Sequence, residues 1–121
     1  SKNRMINKVI LMGRLGKDPV IKRLNGGRIV ANVTLATNEV YQNAGVLKEI
    51  TEWHQLEMWD KQAEFAEKYL KKGRVIYVDG KIKTEKYVDS MGVEKEVRKI
   101  RVTDVKFIDV QGRKENIEPK I

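Results

Sequence analysis

Only one stretch of this chain has helical period; the other apolar segments read as strands. In residues 60–72, Ala63, Phe65, Ala66, Tyr69 and Leu70 fall near a single stripe at helical spacing. Asp60 stands where an N-cap is needed, Lys71 and Lys72 suit the negative end of the helix dipole, and Gly73 supplies a left-handed stop. Glu64/Lys68 and Glu67/Lys71 are i,i+4 pairs in the favourable order. The spacing therefore predicts one helix over residues 60–72. Strands are expected at Asn7–Leu15, Val20–Leu24, Arg28–Thr37, Ile50–Trp59, Val75–Thr84 (running on through Tyr87) and Glu96–Val110. Asn25-Gly26-Gly27 is a hairpin signal because a tight primed turn needs positive φ, and Asp89-Ser90-Met91-Gly92 is a second turn. Residues 39–48, polar and containing Gly45, read as a loop or an exposed hairpin tip. The apolar parity shifts between Ile100/Val102 and Val105/Phe107, which places a bulge near Thr103–Asp104.

Strands, then one helix, then two further strands fit a small closed or partly open barrel. The expected class is all-β with one helix: an OB-fold, a five-stranded Greek-key barrel with its helix between strands 3 and 4. An antiparallel sheet covered by the helix, without closure, is the structural alternative. A length of 121 residues suits one domain, taken as residues 1–110, followed by a short polar extension over 111–121.

The tryptophan strand carries the functional signal. Trp53 and Trp59 are six residues apart in Thr51-Glu52-Trp53-His54-Gln55-Leu56-Glu57-Met58-Trp59. Side chains alternate along a strand, so both indoles share a face with Thr51, Gln55 and Glu57, while Leu56 and Met58 point the other way. Indole on the wet face of a strand calls for something to stack on or pack under. The chain has two Trp, four Tyr and two Phe. Phe65, Tyr69 and Phe107 are assigned to the core, and Tyr77 to the core end of its strand. Tyr41, Trp53, Trp59 and Tyr87 have polar surroundings; Tyr87 shares parity with Lys81 and Lys83. For one such tryptophan, burial by a loop or a partner is the simpler reading; for four aromatics among polar positions, a stacking surface is preferred.

Charge points to the same ligand class. The net charge is +8, and residues 1–28 hold eight bases against the single acid Asp18. A localised positive surface suits polyanions, nucleic acid first and anionic membrane second. The candidates for a phosphate track are Lys8, Arg14, Lys17, Lys22, Lys72, Arg74, Lys81, Lys83 and Lys86. No cysteine is present, so a disulfide or thiolate metal site is excluded and a reducing compartment is expected. No apolar stretch is long enough to span a bilayer as a helix. The lone His54 lacks the partners of a catalytic or metal-bound imidazole and lies on the Leu56/Met58 face, where a packing role is expected.

The segment Asn7-Lys8-Val9-Ile10-Leu11-Met12-Gly13-Arg14-Leu15-Gly16-Lys17-Asp18-Pro19 resembles the opening of the bacterial-type single-stranded DNA-binding proteins. Leu35-Ala36-Thr37-Asn38-Glu39, Thr51-Glu52-Trp53-His54 and Tyr69-Leu70-Lys71-Lys72-Gly73 resemble further blocks of that family, in order. The resemblance implies stacking roles for Tyr41, Trp53, Trp59 and Tyr87, with Tyr41 and Tyr87 standing where the family commonly has tryptophan. It implies His54 at or near a subunit contact, four copies of the domain, single-stranded DNA as partner, no cofactor, and a bacterial cytoplasmic, nucleoid-associated or organellar setting. Members usually continue into a Gly/Pro/Gln-rich tail with an acidic tip. Lys114-Glu115-Asn116-Ile117-Glu118-Pro119-Lys120-Ile121 is short and not acidic, so recruitment of replication and repair proteins through a tail is not expected of this chain.

The expected function is non-sequence-specific binding and protection of single-stranded DNA in replication, recombination and repair. The rivals are a related primosome or RNA-binding accessory barrel and a protein–protein module whose aromatics form an interface. A magnesium-dependent nuclease is the weakest, because the acids are scattered among lysines without motif spacing.

Overall fold

The computed structural model describes residues 4–108. The extension at 111–121 lies outside them. Among the described residues six strands and one α-helix follow in the order β1 (Val9–Leu15), β2 (Val20–Arg23), β3 (Ile29–Asn43), β4 (Val46–Trp59), α1 (Lys61–Tyr69), β5 (Val75–Val88) and β6 (Glu94–Phe107), with a single 3-10 turn at Asn25–Gly27 between β2 and β3. They form one sheet in the order β1-β5-β6-β4-β3-β2, and β1 also pairs with β3, which closes the barrel. The five long strands make the OB-fold barrel. The short β2 occupies the stretch of the β3 edge next to the part that meets β1, pairing Val20–Arg23 with Asn32–Ile29. All pairings are antiparallel except the seam of β4 with β6, where Leu56 lies beside Ile100 and Glu57 beside Arg101. The helix lies between β4 and β5, the third and fourth barrel strands.

Alternation puts one row of each strand into the interior. Val33, Leu35, Leu56, Met58, Ile76 and Val78 are fully buried, and Leu15, Ala31 and Val102 complete the row. Helix α1 covers the end of this core with Ala63 and Ala66. Closure also needs β1 to come very close to β3. A Cβ on Gly13 would run into the backbone carbonyl of Ala36, so only glycine fits there. The bulge expected near Thr103–Asp104 is present: Asp79 pairs with Asp104 and Gly80 with Val102, leaving Thr103 as the extra residue on β6.

Several local expectations are corrected. The helix ends at Tyr69 rather than at Lys72: Leu70 is already extended at φ −92°, ψ 132°, and is 2% exposed. Burying Leu70 outweighs the helical propensity of the lysines that follow. Asp60 is at the N-cap position, but its side chain makes no cap; the carboxylate instead accepts from Arg28 Nη2 at 2.7 Å. Glu67 pairs with Arg23 across to β2 at 2.8 Å. Tyr69 was expected in the core and is half-exposed at the rim of a ring cluster with Phe65 and Phe107. On β5 the core row is Ile76 and Val78, which leaves Val75 and Tyr77 only half-buried.

Residues 39–48 take the hairpin-tip form. Strands β3 and β4 stay paired as far as Asn43 and Val46, joined by Ala44 and Gly45 at φ 53° and 80°. This is the backbone of a primed turn, in which alanine is out of place. An L-residue with a Cβ pays about 1–2 kcal/mol in the left-handed region, whereas asparagine tolerates it. Ala44→Asn is therefore expected to raise stability by about 0.5–1 kcal/mol, read as a higher urea midpoint at unchanged slope.

Candidate nucleic-acid interface

The outer row of β4 is Trp53, Gln55, Glu57 and Trp59, because Leu56 and Met58 are committed to the core. Register continues this face across the sheet. Ala36 lies opposite Trp53 and Val30 opposite Trp59, with Lys22 of β2 beside Val30. On the other side Arg101 of β6 neighbours Glu57, and Lys81 and Lys83 of β5 lie opposite Arg101 and Lys99. Tyr87 continues the odd-numbered row of Lys81, Lys83 and Glu85. The wet face thus holds Trp53, Trp59 and Tyr87 around a strip of cations.

Each ring is held differently. Trp53 is 57% exposed, and its six-membered ring lies against Gly16, where a Cβ would come within 2.5 Å of it. Gly16 is itself fixed by its N–H to the Thr34 carbonyl at 3.0 Å. One side of the indole is therefore seated and the rest is open. Trp59 is half-buried, and its Nε1 donates to Glu57 Oε1 at 2.9 Å. The Arg28 guanidinium lies 4.5 Å from the Trp59 ring centroid, and Asp60 holds that guanidinium from its other side. Tyr87 is 49% exposed near the tip of the β5–β6 hairpin.

Tyr41 is exposed but sits in a different row. It lies opposite Lys48 on the side of the β3–β4 ribbon that carries Leu35 and His54 nearer the barrel. Its ring therefore projects from the other face of the hairpin arm. His54 is half-buried on the core side, as alternation requires, with its Nε2 at 2.9 Å from Thr37 Oγ1.

The expected cations fall into groups. Lys22, Lys81 and Lys83 share the aromatic face. Arg14, Lys17, Lys72 and Arg74 gather on or beside two loops at one barrel end, tied together by Gly73 N–H to Leu15 O and Lys72 N–H to Asp18 Oδ1. There Arg14 Nη1 donates to Gly73 O at 2.9 Å, and Arg74 stacks over Phe107 at 4.1 Å. Lys8, just before β1, is exposed, and Lys86, exposed on the even row of β5, lies off the odd row that carries Tyr87.

Arg28, Lys99 and Arg101 were not among the expected site residues. Lys99 and Arg101 alternate with Ile100 and Val102, so their outward direction was readable; their place beside β4 depends on the parallel seam. Glu57 is also unexpected, a carboxylate only 4% exposed in the middle of the face. Burial alone would push its carboxyl up, but the Trp59 N–H and then Lys99, Lys83 and Arg101 outweigh it and hold the group below the ordinary carboxylate range.

A closed five-stranded barrel with one covering helix and a wet aromatic face ringed by cations defines an OB-fold protein of the oligonucleotide-binding kind. The match to known proteins is narrower. The model of the single-strand binding protein family matches residues 6–108, and the chain belongs to that family. It is also similar to a solved structure titled as the Plasmodium falciparum SSB complex with ssDNA, at 37% identity and a TM-score of 0.80, covering 90% of this chain and 100% of that one.

Proposed function

We propose that this protein binds single-stranded DNA without sequence preference and keeps it unpaired and protected during replication, recombination and repair. The observation that carries this reading is the row of Trp53, Trp59 and Tyr87 on one wet face, interleaved with lysines and arginines. Flat rings on rigid strands accept any base, since every base has a π-face, and the cations answer the phosphates. Duplex DNA offers no free base faces, so stacking selects single strands. Among the stacking residues, Trp53 and Trp59 carry most of the affinity, Tyr87 extends the path, and Tyr41 receives strand that passes around the hairpin arm. The end-of-barrel group of Arg14, Lys17, Lys72 and Arg74 extends the phosphate track past Trp53. Titrating equal lengths of oligothymidine and duplex tests the reading: preference for the oligothymidine is expected, and equal affinity would refute it. The family binds DNA rather than being a family of enzymes. Intact labelled strand after incubation with magnesium is the expected result for this chain.

The protein works as a homotetramer in this proposal, in the reducing cytoplasm that a chain without cysteine suits. Two features support assembly. Ile10 and Met12 on the outer side of β1 are 56% and 50% exposed. Among the described residues, β1 pairs with β3 only at Arg14 and Leu15, so the edge before them is open to another copy. His54→Ala is expected to lower the mass measured by light scattering at micromolar concentration; an unchanged mass and concentration dependence would remove His54 from the contact.

A further inference from the structure

Glu57 is an anion buried in the middle of a face that faces a polyanion, and the two roles conflict. Its oxygens are divided among neighbours. Oε1 accepts the Trp59 N–H at 2.9 Å and stands 3.5 Å from Arg101 Nε, while Oε2 stands 3.7 Å from Lys99 Nζ. Lys99 also reaches Glu85 at 3.1 Å, and Glu85 lies 3.9 Å from Lys83. The carboxylates therefore draw three of the cations nearest the rings down onto the sheet. The two ion pairs of Glu57 are loose, at 3.5 and 3.7 Å. Arg101 Nε is buried without a hydrogen-bond partner, so Glu57 holds its charge without satisfying its donor. Once freed from such a pair, the cation would turn to a phosphate oxygen, where it can make the charge-assisted hydrogen bonds it now lacks.

We infer that Glu57 is a positioning residue that sets the strength of DNA binding: it orients the Trp59 ring and competes with the DNA phosphates for Lys99 and Arg101. The inference rests on the single-stranded DNA reading and deepens it. In the free protein Glu57 keeps Lys99 and Arg101 paired, so the face carries fewer available cations than its sequence suggests. When strand arrives, Glu57 keeps those cations, because giving them up would leave a buried carboxylate unpaired beneath a polyanion, so the phosphates above gain little from them. Binding is thereby weaker and less salt-dependent than the same face would give without Glu57, which favours release of the strand.

Glu57→Gln separates the two parts of the role, because the amide oxygen still accepts the indole N–H while the charge is gone. Oligothymidine affinity near 0.1 M salt is expected to rise by about 3- to 10-fold. The plot of log affinity against log salt is expected to steepen by about 0.7–1.4, the contribution of one to two further phosphate contacts on single strands. Lys99→Met in the Glu57→Gln background should return both quantities toward the parent. In the parent background, which does not depend on the folding of any Glu57 variant, Lys99→Met should cost less than about twofold in affinity, since Glu57 and Glu85 already engage that lysine. A Glu57→Gln protein with the parent's slope, or a parent weakened several-fold by Lys99→Met, would overturn the inference while leaving the DNA-binding reading intact. A parent that does not bind oligothymidine at all would overturn both.

Discussion

Replacing Trp53 and Trp59 together by alanine is expected to weaken binding to oligothymidine by about 30- to 20,000-fold. Each base stacked on an aromatic ring is worth about 1–3 kcal/mol, and every 1.4 kcal/mol is about a tenfold change in affinity. An exposed lysine–phosphate pair is expected to behave like other surface ion pairs, at about 0.2–1 kcal/mol, so no single lysine change should approach the double tryptophan variant. The two positions differ in what else they touch. Trp53 is 57% exposed, with its six-membered ring against Gly16, so Trp53→Ala should lose affinity with little change in melting temperature. Trp59 also receives Arg28 and donates to Glu57, so its removal loosens both side chains. A circular-dichroism melt alongside each titration separates lost stacking from lost fold. A double variant that binds like the parent would show that these rings do not carry the affinity.

Gly13→Ala is expected to destabilise the protein by about 2–3 kcal/mol, the upper part of the usual range for overpacking. For a domain of this size that is a fall of roughly 8–12 °C in melting temperature. The added Cβ meets the Ala36 carbonyl and carbon and the Leu35 side chain, and the backbone of a paired strand cannot give way as a flexible side chain would. Relief requires opening the β1–β3 contact at Arg14/Ala36 and Leu15/Leu35, which is the closure of the barrel. Ala36 lies opposite Trp53, so the same displacement should reach the stacking face. A melting temperature within a degree or two of the parent would mean that closure at this point is softer than the geometry indicates.

What the sequence revealed about the fold was what is local and periodic. Alternation in β4 correctly separated the Trp53/Trp59 row from the Leu56/Met58 row, and the change of parity in β6 located the extra residue at Thr103. Local preference failed where distant groups decided the outcome. Leu70 leaves the helix because the core takes it, and Asp60 leaves its capping role because Arg28 offers a charged partner. The site divides along the same line. The outward direction of Trp53, Trp59 and Tyr87 follows from parity along single strands. The strip of Lys99, Arg101 and Glu57 exists only because β6 lies parallel against β4, a contact between residues more than forty positions apart that no local pattern encodes. Tyr41 shows the reverse case: its polar surroundings were legible, but the pairing of β3 with β4 as far as the tip puts it in the opposite row from the tryptophans.

The most direct test of the account is a tryptophan-fluorescence titration with oligothymidine at about 50 mM and about 200 mM salt, with a duplex of equal length alongside. A stacking face lined by cations predicts quenching of the indole emission as oligothymidine binds. Affinity should fall by about 300-fold or more between the two salt concentrations if roughly six or more phosphates are contacted, and the duplex should bind far more weakly. Binding without quenching, or equal affinity for oligothymidine and duplex, would contradict it.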